Sequence, residues 1–110
     1  MSEELMKPGE KELEEIRGYL FDLLDNLNNL IEKNEKLLTS RGIMPRLGVL
    51  LGMITMQRYQ IDLVMKYYWR QLEEVIGSMG QIPEIQNDMK DIIQDVEKIK
   101  ELLSLSGLKL

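Results

Sequence analysis

Cysteine and histidine are both absent from this chain. Without cysteine there is no disulfide, no thiol nucleophile and no thiolate metal site, so packing alone must hold the fold. Without histidine the usual general base, the usual imidazole metal ligand and the physiological pH switch are missing. Alanine is absent as well. Where two helices must approach closely, only glycine and serine remain to permit it. No stretch sustains the period-two alternation of a strand, and no run reaches the roughly 18 apolar residues of a membrane-spanning helix. The opening MSEELMKPGE has no basic region followed by an apolar one, so no secretory signal is expected and the chain reads as cytoplasmic and soluble. No glycine-rich loop follows a strand, and no serine or threonine has a base to activate it. Neither an enzyme nor a cofactor is expected.

What is present is a chain of 110 residues, 44% hydrophobic and 30% charged, which suits one globular domain and argues against disorder. Proline and glycine divide it into three segments, about 9–40, 45–79 and 83–106. Pro8, Pro45 and Pro83 each open a segment, where a missing N–H is harmless; Gly42, Gly80 and Gly107 each follow one, where positive φ is useful. In the first segment Leu13, Ile16, Leu20, Leu23, Leu27, Leu30, Asn34 and Leu37 recur at spacings of three and four. In the third, Ile82, Ile85, Met89, Ile92, Val96, Ile99 and Leu103 do the same. That repeat lays one apolar stripe along a helix, as in coiled-coil packing. The expected fold is all-α: three long antiparallel helices joined by short turns.

The middle segment carries two stripes. One holds Leu47, Leu51, Ile54, Arg58, Ile61, Met65, Tyr68, Leu72, Val75 and Met79. The other holds Val49, Met53, Met56, Tyr59, Leu63 and Tyr67, roughly 160° away at about 100° per residue. A continuous helix over 45–79 would be about 52 Å long, against about 36 Å for the third helix, so its start, PRLGVLLGMITMQR, would outrun its cover. Such an apolar end seldom stays in water. A homodimeric bundle is therefore expected, its interface formed by Leu47, Gly48, Val49, Leu51, Gly52, Met53, Met56, Tyr59 and Leu63.

Charge is sorted along the chain. Net charge is -5 over residues 1–40, +4 over 41–70 and -4 over 71–110. The expected arrangement has the acidic outer helices facing the basic middle one. Asn34 and Arg58 interrupt apolar stripes, and pairing of Arg58 with Asp25 would let a buried polar set fix register. Glu84, Asp88, Asp91 and Asp95 read as a solvated acidic face rather than a cation site, and no metal is expected. The function expected is that of a non-enzymatic adaptor, scaffold or assembly subunit working through protein contacts and self-association. The alternative is a small nucleic-acid-binding accessory protein. Arg41, Arg46, Lys66 and Arg70 would meet phosphates there, beside the aromatic Tyr59, Tyr67, Tyr68 and Trp69. Membrane-surface binding fits the two opposed stripes less well.

Overall fold

Helix ends follow the prolines and glycines closely, with one exception that reshapes the molecule. The computed structural model describes residues 10–57 and 60–107, Asp62 by its backbone alone. All regular structure among these residues is helical. Pro8, Gly9, Arg58 and Tyr59 lie outside them.

The first rod is α1 (Glu10–Lys33) followed by α2 (Glu35–Ser40). α1 buries Ile16, Leu20, Leu23, Leu24, Leu27 and Leu30 along one side. The helix is interrupted at Asn34, with φ -121 and ψ 24, and the Asn34 amide donates to the Leu30 carbonyl at 3.1 Å. A polar side chain bonding back to the preceding turn is a known source of helix bending. α2 closes with Gly42 at φ 71. The Gly42 N–H donates to Thr39 at 3.0 Å and the Ile43 N–H reaches back to Leu38 at 3.0 Å. Together they satisfy carbonyls that a helix end leaves bare.

The second rod is α3 (Met44–Met56), with Pro45 in its first turn. Here the structure departs from the single helix expected over 45–79. α3 ends at Gln57, the Gln60 N–H donates to the Gln57 carbonyl at 2.7 Å, and the chain reverses. The return rod comprises α4 (Ile61–Leu63), a π-helical turn (Val64–Tyr68) and α5 (Trp69–Gly80). The Arg46 guanidinium meets the Glu74 carboxylate at 2.9 Å. In one continuous helix these residues would stand about 42 Å apart, so the pair requires the reversal. Its physical reason is cover: the start of one continuous helix would outrun the neighbouring rods, and the reversal gives it a rod to pack on. Folding the segment on itself buries Leu47, Leu50 and Ile54, at about 1.5–3 kcal/mol each. The few helix hydrogen bonds lost at the break are worth only about 1 kcal/mol each and can be replaced by water.

The fourth rod consists of α6 (Pro83–Gln86), a 3-10 turn (Asn87–Met89) and α7 (Lys90–Leu105). It runs antiparallel to α1, as shown by Asn26 donating to Asp95 at 2.6 Å and Lys33 to Asp88 at 2.9 Å. Among the described residues five helices of six residues or more are thus arranged as four antiparallel rods, in place of the expected three-helix chain. The buried side chains join in one cluster, from Ile16 and Leu20 to Ile99 and Leu103, with Trp69 at 1% exposure inside it. The whole measures 50 × 23 × 23 Å. Gly80 lies inside α5 and has no positive φ, unlike Gly42 and Gly107. No helix among the described residues is long and apolar enough to cross a membrane.

Candidate functional site

α3 sorts its residues by side. Leu47, Leu50 and Ile54 point into the bundle and Leu51 is half-buried. Pro45, Gly48, Val49, Gly52, Met53 and Met56 are exposed. Val49 keeps 60% of its surface in water, Met53 38% and Met56 82%. Between Arg46 and Gln57 the helix carries no ionisable residue, in a chain that is 30% charged. The two glycines lack positive φ, and a Cβ placed on either would meet nothing within 4 Å. Packing within the monomer therefore does not require glycine at 48 or 52. Each costs the helix about 0.5–1 kcal/mol relative to alanine.

The third rod supplies a neighbour to this face. On α5, Glu74 reaches Arg46 of α3 while the adjacent Glu73 reaches Lys100 of α7. Consecutive residues thus mark its two flanks. Tyr67 lies seven residues before Glu74 on the third rod, and the Arg46–Glu74 pairing brings it level with Met53. It is 65% exposed. Val49, Met53, Met56 and Tyr67 together present on the order of 450 Å² of apolar surface, as large as the biggest patch on typical monomers.

Of the interface expected from sequence, Gly48, Val49, Gly52, Met53 and Met56 share this exposed face. Leu47 does not: it is fully buried against the third rod, because the reversal turns its side of α3 inward. Leu51 and Leu63 are half-buried, and Tyr59 lies outside the described residues. Pro45 and Tyr67 join the face although they were not expected in it. Pro45 continues the three-four spacing of Gly48 and Gly52, a signal present in the sequence; Tyr67 belongs to the same apolar stripe as Val49, Met53 and Met56, and the reversal brings it level with Met53.

The polar residues also take new partners. Asp25 is exposed, not buried, and Arg58 lies outside the described residues. Asn34 is half-buried, and its amide donates to Asp88 at 3.2 Å. Asp88 and Asp95 are not a solvated face: they stand seven residues apart on the flank of the fourth rod that meets the first, taking Lys33 and Asn34 at one level and Asn26 at the next. The Lys33 ammonium, and after it the Asn34 amide, holds the Asp88 carboxyl below its ordinary value of 3.8. Glu84 and Asp91 of the same stripe are exposed. Among the described residues no three acidic groups are placed to hold a metal ion.

Arg41, Arg46, Lys66 and Arg70 are all exposed. Arg41 and Arg46 border a depression of about 380 Å³ shared with Ser78 and Gln81. Lys66 and Arg70 follow one turn apart on the third rod. Glu74 stands between the two pairs, bonded to Arg46 and one turn from Arg70. Trp69 and Tyr68 face inward, leaving Tyr67 as the exposed aromatic beside these cations. No protein-family model matches the chain, and no curated protein or solved structure is significantly similar to it.

Proposed function

We propose that this protein is a non-enzymatic adaptor or scaffold that works through protein contacts and self-association, with the outer face of α3 as its contact surface. The observation that carries the reading is the charge-free strip holding Gly48, Val49, Gly52, Met53 and Met56, left in water by a fold that buries the other side of the same helix. The largest apolar patch on a protein is often its functional surface. Nothing in the bundle's own packing needs the two glycines. The nucleic-acid alternative has less support, since Arg46 already has a carboxylate partner and Trp69 is in the core.

The test is a paired substitution on this face, Val49→Glu with Met56→Glu. Both side chains are exposed, so helicity and melting temperature should stay near those of the unaltered protein. Contacts with protein, whether with a second copy or with host proteins retained on the immobilised chain, should be lost. Contacts that survive both charges would place the working surface elsewhere.

A further inference from the structure

We infer that the occupant of the α3 face is a second copy of this chain, its α3 laid antiparallel on the first across a two-fold axis between residues 50 and 51. This rests on the contact-face reading above and names the partner. The first argument is shape. The exposed positions 45, 48, 49, 52, 53 and 56 are spaced symmetrically about that axis. Reversal sets Gly48 against Met53 of the second copy, Val49 against Gly52 and Pro45 against Met56. At both inner levels a side chain meets a glycine, so bulk on one helix fills the gap on the other. In the monomer those gaps are open.

Charge is the second argument. A two-fold axis brings a surface against itself, so any net charge on it repels its own copy. This face has no ionisable residue from Leu47 to Gln57, and Arg46 at its edge is paired with Glu74. Along α3 itself an acidic or basic partner protein would find no opposite charge and a second copy finds no like charge; Lys66 and Arg70 stand off this helix, on the third rod.

Area is the third. The apolar side chains offer on the order of 450 Å² per copy, so a pair would bury at most about 900 Å² of them, short of the roughly 1,200 Å² at which stable specific interfaces begin. The dimer should therefore be weak and reversible.

The experiment is light scattering on the full chain from nanomolar to hundreds of micromolar, with Pro45→Lys, Met56→Glu and Gly52→Leu variants. Unaltered protein should pass from 12.9 kDa to twice that mass. Each variant should weaken association tenfold or more. Gly52→Leu has open space in the monomer, so it should remain helical and no less heat-stable while losing the dimer. An equimolar mixture of Pro45→Lys and Met56→Glu should recover a one-to-one dimer, because antiparallel pairing sets lysine against glutamate; parallel pairing does not. Monomer at every concentration overturns the inference. If Val49→Glu with Met56→Glu still releases host proteins in that case, the contact-face reading survives with a different partner. Sedimentation of monomer with phosphatidylcholine–phosphatidylserine vesicles overturns it in favour of a lipid surface. A dimer that tolerates all three variants overturns it in favour of another interface.

Discussion

Asp88 shows how one side chain can tie two rods together. Its carboxylate takes the Lys33 ammonium on one oxygen and the Asn34 amide on the other, and both favour the charged form. The folded pKa is therefore below the unfolded one. Its contribution to stability is full above the unfolded value near 3.8 and is lost as pH falls through the folded value. Asp88→Asn should lower the melting temperature by a constant amount above about pH 5, and the gap to the unaltered protein should close in stronger acid. Circular dichroism melts from pH 2 to 7 measure this; a gap that persists at the acid end would deny Asp88 the role. Trp69 presents the opposite case. Its ring is 1% exposed and its indole N–H has no hydrogen-bond partner among the described residues. A stranded buried donor costs about 1–3 kcal/mol. Trp69→Phe removes that cost along with some packing. It should lose less than about 2 kcal/mol in urea titration, against about 3–5 for Trp69→Ala. Equal losses would mean the N–H is satisfied.

Two elements decide the architecture: the turn after α2 and the reversal after α3. At the first, Gly42 sits at φ 71, where a Cβ would crowd the backbone whatever space surrounds it. Gly42→Ala should cost about 1–2 kcal/mol. Gly48→Ala, at a helical site open to solvent, should instead add about 0.5–1 kcal/mol to the stability of the monomer. Opposite signs in urea midpoints at nanomolar concentration are the expected result, and the same sign at both sites would contradict the assigned backbone conformations. The reversal carries no such backbone signal in its sequence. The stretch MQRYQI contains neither glycine nor proline, and among the described residues Gln60 makes no side-chain cap hydrogen bond. What holds it is the burial of Leu47, Leu50 and Ile54 and, weakly, the exposed Arg46–Glu74 pair. The π-helical turn that follows changes phase within the rod, so that Val64 and Met65 within it and Trp69 and Leu72 after it are all buried.

At the scale of the whole molecule, charge does little to order the rods. Among the described residues three ion pairs cross between rods: Lys33–Asp88, Arg46–Glu74 and Lys100–Glu73. None of these three joins a cation of the middle segment to an acid of an outer rod, which is the pairing expected from the charge sorting. All three have exposed lysine or arginine partners, and such pairs are worth about 0–1 kcal/mol each. The apolar core is what orients the bundle, and the same effect at the α3 face would drive assembly. Binding that favours the folded state raises stability with concentration. The melting temperature should therefore climb by a few degrees between about 1 and 300 μM in the unaltered protein and stay flat in Met56→Glu. A flat curve in both would deny any coupling between folding and association.

Much of this was legible from residues alone. The helical class, the stops at Gly42 and Gly107, the starts at Pro45 and Pro83, and the inward stripes of the first and last rods follow from local preferences and from a spacing of three and four. These depend on neighbours within one or two turns, so a linear reading reaches them. Tertiary structure alone decided that the middle segment doubles back, that Leu47 goes inside while Val49 stays in water, and that Asp88 and Asp95 answer Lys33, Asn34 and Asn26. Each of those outcomes balances a few local hydrogen bonds against burial or pairing with residues far along the chain. Helical periodicity records which sides of a segment are apolar; it does not record which part of the molecule will cover them.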